Sequence, residues 1–255
     1  MKFEDFYIKE KEKPLDNLVS DGGFTSIFRT IACVGDSLSS GTMETKDEEG
    51  NRICHNLYDY SWGQFLSRTT GAKVYNFSVG GLTAKGYIEC FSEENGFWEK
   101  DKLCQAYIIA FGVNDLLNGG QEIGSVSDVD LNDYNNNKET FAGYYAKIIQ
   151  KYKELVPGAK FFLVTIPRGM IGTQKENLKK EHAKLLYDMA NLFENTYVID
   201  LNKYAPEFDE EFQKNFALFG HLNAMGYSVI SKMIMSYIDY IIRDNMEDFK
   251  NTAFI

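Results

Sequence analysis

The sequence predicts an α/β protein built around a five-stranded parallel sheet. Three observations predict it: short apolar segments, longer segments of helical periodicity between them, and small polar residues where the apolar segments end. The apolar segments are continuous rather than alternating, which is typical of strands covered on both faces. Strands that alternate with helices form parallel sheets from βαβ units.

Five segments rich in β-branched and aromatic residues are the predicted strands. They begin at Arg29, Ala72, Ala106, Ala159 and Thr196, and they read RTIACV, AKVYNFS, AYIIAFG, AKFFLVTI and TYVIDL. Cys33 falls in the first segment and is interpreted as a small core residue. Residues 1–28 precede this strand and are expected to form an arm or an edge strand.

Three segments with apolar residues at helical spacing are the predicted long helices. The first repeats apolar residues from Phe141 to Leu155 and ends before Pro157, a helix breaker. The second, ENLKKEHAKLLYDMANLFEN, places His182 on its apolar stripe, which favours a structural histidine. The last begins after Asn223, a residue type that caps helices.

The chain reads as one domain over residues 1–255, without an internal repeat or a linker. Of its 255 residues 44% are hydrophobic, which is enough for a sizeable core. The long polar segment 118–137 lies between a strand and a helix. Loops longer than about 12–15 residues are usually functional or mobile, so this one is predicted to be a lid or a pocket wall.

Charge and residue spacing exclude several classes of partner. The 37 acidic and 27 basic residues give a net charge of −10, so nucleic acid is not an expected partner. No stretch approaches the ~18 apolar residues of a membrane helix. The N-terminal sequence lacks secretory-signal features, so the protein is expected to be cytoplasmic, or secreted if a leader has been removed. The four cysteines and three histidines lack metal-ligand spacing, so neither a metal nor another cofactor is predicted.

The chemistry is predicted where the first three strands end, because parallel strands end at one edge of a sheet and ligands bind there. The segments are GDSLSSG, NFSVGGLT and FGVNDLL, which carry Ser37, Gly80 with Gly81, and Asn114 with Asp115. A serine nucleophile needs an imidazole to take its proton, and His221 in FGHLNAMGY is a candidate. The backbone N–H groups of Ser37 and Gly81 and the amide of Asn114 could donate to an oxyanion.

These four blocks, in this order over residues 29–230, resemble the SGNH hydrolases, also called the GDSL esterase/lipase family. The resemblance implies a flavodoxin-like three-layer α/β/α sandwich with a central five-stranded parallel sheet. It makes Ser37 the nucleophile, Gly81 and Asn114 oxyanion donors, and His221 the general base. The implied function is ester hydrolysis through an acyl-serine intermediate. Family association alone adds the substrate, a small-molecule or carbohydrate ester of a short acyl group such as acetyl.

One position departs from the family pattern, since Leu218 stands three residues before the histidine, where the family usually carries an aspartate. Without an acceptor for its second nitrogen an imidazole can take the wrong tautomer, a loss of about 10⁴-fold in serine proteases. We expect either a Ser37–His221 dyad oriented by a backbone carbonyl or an acid recruited from elsewhere. The nearest upstream acids, at 209–211, are interpreted as a helix start.

The remaining residues have structural interpretations beside functional ones. Asp36 and Asp115 are expected to organise their loops, and Gly80 to support the oxyanion site. His55 is a weaker candidate for lining a pocket, and Trp62 is interpreted as a packing residue. Two other functions remain open. One is a phosphate- or FMN-binding module that uses the loop hydroxyls of Ser39, Ser40 and Thr42; the other is a hydrolase fold that has lost catalysis and binds a ligand.

Overall fold

The computed structural model describes residues 2–169 and 175–253, and it confirms the predicted sheet. The strands are β1 Thr30–Gly35, β2 Thr42–Lys46, β3 Arg52–Asn56, β4 Lys73–Ser78, β5 Ala106–Ala110, β6 Lys160–Val164, β7 Thr196–Ile199, β8 Ala217–Leu218 and β9 His221–Leu222. The five predicted strands pair in parallel in the order β4-β1-β5-β6-β7. This is the flavodoxin-like order, and its strand order reverses beside β1, where ligands bind in such folds.

Helices cover both faces of the sheet and complete the three layers. They are α1 Ser37–Ser40, α2 Trp62–Thr70, α3 Ala84–Gly86, α4 Ser92–Glu94, α5 Phe141–Leu155, α6 Glu176–Leu192, α7 Leu201–Tyr204, α8 Glu210–Phe216 and α9 Ala224–Asp244. Successive residues of a strand point to opposite faces. Cys33 therefore packs in the core with α2 and α9, and Ala32 in the core with α5 and α6. Within residues 2–169 and 175–253, every helix is too short or too polar to span a lipid bilayer.

Residues 2–28, for which the sequence left an arm or an edge strand open, form short 3-10 turns along α9. The backbone N–H of Val19 donates to Ser236 Oγ at 3.0 Å, and that of Phe24 donates to Asp239 Oδ1 at 2.8 Å. Arg243 Nη2 lies 2.6 Å from Glu12 Oε1. No strand occurs in the described part of this segment.

Two antiparallel hairpins that the sequence did not predict stand beside the main sheet. Strands β2 and β3 pair with Glu44 opposite Cys54, and β8 and β9 pair with Leu218 opposite His221. The two hairpins contact each other. At the tip of the second, the ring of Phe219 contacts the cationic ends of Lys46 and Arg52, which lie 5.0 and 5.3 Å from the ring centroid.

Candidate active site

Ser37 lies at the predicted sheet edge, as the first residue of the α1 turn that follows β1. Asp36 caps this turn, since its Oδ1 accepts from the backbone N–H of Leu38 at 3.0 Å. Tyr227 of α9 also holds this turn in place. Its hydroxyl donates to the Thr42 carbonyl at 2.6 Å and lies 3.5 Å from the Ser37 carbonyl. The nucleophile candidate is thus fixed between the sheet and α9.

Gly81 lies in the loop after β4 with a φ of +78°, in the left-handed region. Beyond its two chain neighbours, no heavy atom of the described residues lies within 4 Å of a Cβ built there. The backbone conformation is what favours glycine. The neighbouring Gly80 faces Ser37, whose Cβ lies 4.0 Å from a Cβ built on Gly80.

Asn114 lies in a short π-helical turn, Val113–Asn118, after β5. Its Nδ2 donates to the Leu82 carbonyl at 3.1 Å and lies 3.4 Å from Asp36 Oδ2. Its Oδ1 accepts from Asn118 Nδ2 at 3.1 Å. The amide nitrogen therefore lies between the loop after β4 and the turn that carries the serine.

The two aspartates at the sheet edge have the geometry expected of loop organisers. Asp115 accepts from the backbone N–H of Ala84 at 2.7 Å and of Gly112 at 3.0 Å, which joins the loops after β4 and β5. Burial raises the pKa of Asp36 to about 7 and that of Asp115 to about 6. Neither shift comes from contact with an imidazole.

His221 begins β9, and its second nitrogen faces a carboxylate that sequence reasoning missed. Nδ1 lies 2.5 Å from Glu44 Oε1, while Glu44 Oε2 accepts from the backbone N–H of Gly220 at 3.3 Å. Glu44 is 5% exposed. Burial alone would raise the pKa of this carboxyl, but the hydrogen bonds from His221 and Gly220 and the charge of Arg52 outweigh it and lower the pKa. Glu44 is therefore ionised at neutral pH.

Of the two alternatives left by Leu218, the structure supplies the acid from elsewhere rather than a backbone carbonyl. The upstream acids are not that partner, since Asp209 caps α8 by accepting from the Phe212 N–H at 2.9 Å. From the sequence, Leu218 showed only that the acid usually found three residues before the histidine is missing. Nothing in the segment TMETK marks Glu44 as its replacement, because the two residues meet only through the contact between two hairpins.

The candidate residues surround one cavity of about 410 Å³. Its lining includes Ser37, Gly80, Gly81, Asn114 and His221. The structure thus brings the ends of β1, β4 and β5 together with His221 at one cavity.

Several other predictions concerned the surroundings of this cavity. Among the residues that the structure describes, Asn118 is the one member of segment 118–137 that lines it, as a wall. Asp128 anchors the segment to Lys138 and Thr140 beside α5. His55 does not line the cavity, although its neighbours Cys54 and Asn56 do.

The structure also shows the surroundings of the residues for which the sequence gave a structural or an alternative interpretation. Trp62 is buried in the core, as expected. His182 is fully buried, with Nε2 3.1 Å from the Phe111 carbonyl. The phosphate-binding alternative is wrong in its donors, because Ser39, Ser40 and Thr42 are buried and the last two bond each other at 3.1 Å.

No group of three or more potential metal ligands occurs within residues 2–169 and 175–253. All four cysteines are free; Cys33 and Cys104 are buried, and Cys54 and Cys90 are exposed.

Comparison with known proteins gives a family and a fold. The model of the GDSL-like Lipase/Acylhydrolase family matches residues 33–229. No curated protein matches the sequence. A solved structure from Lactobacillus plantarum is 15% identical with a TM-score of 0.62, and the match covers 83% of this chain and 97% of that one.

Two further solved structures are described as carbohydrate esterases. A family 2 enzyme with a carbohydrate binding domain, from Corynascus thermopiles (Myceliophthora fergusii), is 14% identical with a TM-score of 0.57; the match covers 82% of this chain and 65% of that one. A family 3 enzyme from Clostridium thermocellum is 17% identical with a TM-score of 0.53, and the coverage is 85% and 98%. At such identities the likeness establishes the fold.

Proposed function

Because the chain belongs to the GDSL-like lipase/acylhydrolase family and is an ester hydrolase, we propose that it acts through an acyl-serine intermediate on Ser37. One observation carries this proposal: Ser37 and His221 line the same cavity, and a buried carboxylate holds the far side of the imidazole. These are the three roles that serine hydrolysis requires.

In the first step His221 Nε2 takes the hydroxyl proton while Ser37 Oγ bonds to the ester carbonyl carbon. The negative charge passes to the carbonyl oxygen, where the N–H groups of Ser37 and Gly81 and the amide of Asn114 stabilise it. Each donor of this kind contributes about 10²–10³ in turnover. The imidazolium then gives its proton to the leaving alkoxide. In the second step water, activated by the same imidazole, releases the acid and restores the serine.

Glu44 acts as a positioning residue for the imidazole. Its carboxylate accepts from Nδ1–H, which leaves Nε2 without a proton and able to act as the base. Its negative charge also stabilises the imidazolium that forms in each step. The family places this acid three residues before the histidine; here it comes from a different hairpin. The position of Glu44 therefore argues against the interpretation that the protein lost catalysis together with the aspartate.

We further propose a short-chain acyl ester of a carbohydrate, such as an acetyl ester, as the substrate. The cavity wall supports this, because it includes polar side chains that can bond sugar hydroxyls: Asn56, Asn114 and Asn118. The carbohydrate esterases among the solved structures of the same fold are consistent with it.

Replacement of Ser37 by alanine tests the nucleophile. We expect hydrolysis of p-nitrophenyl acetate to fall by ~10⁴-fold or more, since serine hydrolases without their nucleophile keep little activity. Ser127→Ala, which changes an exposed serine of the 118–137 segment, is the matched control and keeps full activity. Undiminished turnover in Ser37→Ala would exclude the proposed mechanism. A comparison of acetylated oligosaccharides with simple esters then tests the alcohol part.

A further inference from the structure

A second cavity of about 60 Å³ lies behind the turn that carries Ser37. Most of its lining is apolar and includes Trp62, Phe111, Ile166, Phe208, Ile230 and Ile234. This cavity, here called the inner cavity, lies among core residues between the sheet and α9. Nothing in the mechanism above uses it.

Two side chains, Leu38 and Val113, line both the inner cavity and the catalytic cavity. Leu38 directly follows the nucleophile, and Val113 directly precedes Asn114. Both are half-buried and pack against the core. The hydrogen bond from the Leu38 N–H to Asp36 fixes the backbone of this wall next to the reacting centre. The two cavities are therefore separated by the thickness of these side chains.

Ser39 gives independent evidence that the inner cavity is not ordinary packed core. The residue is fully buried and lines this cavity, and its hydroxyl has no hydrogen-bond partner among the described residues. Buried polar groups are nearly always paired, with protein or with an ordered guest such as water. An unpaired hydroxyl at the cavity wall therefore marks a place that protein side chains do not fill.

We propose that the inner cavity is a latent acyl-chain pocket and that Leu38 and Val113 set the length of acyl chain that the enzyme accepts. This inference rests on the proposed acyl-serine mechanism. With the wall in place, an acyl chain on Ser37 cannot extend into the inner cavity. Beyond the wall the inner cavity offers about 60 Å³ of mostly apolar space. Opening the wall therefore lets a longer acyl chain bind.

Leu38→Ala tests the wall, assayed with p-nitrophenyl acetate, butyrate, hexanoate and octanoate. Each methylene that enters an apolar pocket favours binding by about fourfold. We expect the ratio of kcat/KM for hexanoate to that for acetate to rise at least tenfold. Val113→Ala opens the same wall from the other side and shifts the ratio in the same direction. Leu185→Ala, in the core on the opposite face of the sheet, is the matched control and leaves the ratio unchanged.

A filling substitution shows where the longer chain binds. Ile230→Phe in the Leu38→Ala background occupies the inner cavity, so it removes the gain on hexanoate while acetate hydrolysis persists. An unchanged ratio in both folded wall variants, or a gain that survives Ile230→Phe, would overturn the proposal. Failure of the mechanism itself is distinguished by Ser37→Ala, which would then retain acetate hydrolysis.

Discussion

Replacement of Glu44 by glutamine removes the negative charge beside His221 with little change in shape. Nδ1 and Oε1 are 2.5 Å apart, and the other carboxylate oxygen accepts from the Gly220 N–H. A glutamine amide has one oxygen for these two donors. Its NH₂ group must therefore face either the imidazole or the backbone, and the first case favours the tautomer that is inactive as a base.

The loss of charge sets the size of the effect. Unit charges ~4 Å apart in an effective dielectric constant of ~20 interact by about 4 kcal/mol, or about 10³-fold in rate. Arg52, 3.7 Å from the same carboxylate, offsets part of this stabilisation of the imidazolium. We therefore expect kcat of Glu44→Gln on p-nitrophenyl acetate to fall by about 10²–10⁴-fold.

The assay separates positioning of the imidazole from a general loss of folding. KM should change little, because Glu44 contacts the imidazole and does not line the catalytic cavity. Glu48→Gln is the matched control, since Glu48 is exposed in the turn that links the same two strands. A Glu44→Gln enzyme within threefold of the wild-type kcat would refute the assignment of Glu44.

Two further predictions concern backbone strain and pH. Gly81→Ala and Gly71→Ala place alanine at φ values of +78° and +71°, with open space around the new methyl group. Each should therefore lower the free energy of unfolding in urea by about 1 kcal/mol. Only Gly81→Ala should also lose at least about tenfold in kcat, and equal kcat in the two variants would contradict the oxyanion role. Burial lowers the pKa of His182 from 6.5 to about 4, although the hydrogen bond to the Phe111 carbonyl opposes the shift. The neutral imidazole therefore contributes stability that is complete above pH 6.5 and is lost as the pH falls toward 4. The loss in unfolding free energy over this range is about 3 kcal/mol. His182→Gln should reduce the difference in unfolding free energy between pH 7 and pH 4 by about that amount, and an unchanged difference would show that His182 does not titrate as proposed.

The sequence by itself determined the central sheet, the long helices and the edge at which the site lies. Each is encoded locally: a strand buried on both faces needs a continuous apolar run, and a helix on the sheet needs an apolar stripe. Caps are local as well, and Asn223 does cap α9, as predicted. The small polar residues after β1, β4 and β5 were readable because a parallel sheet brings those three strand ends together, whatever else the chain does.

Only the tertiary structure decided which acid serves His221. Glu44 precedes the histidine by 177 positions and lies in a short strand that is half exposed, so no periodicity marks it as buried. The wall between the two cavities also depends on the tertiary structure, because Leu38 and Val113 follow different strands. Local patterns record whether a residue is buried and in which element. The distance between side chains from separate hairpins and loops depends on how those elements pack, which no local pattern contains.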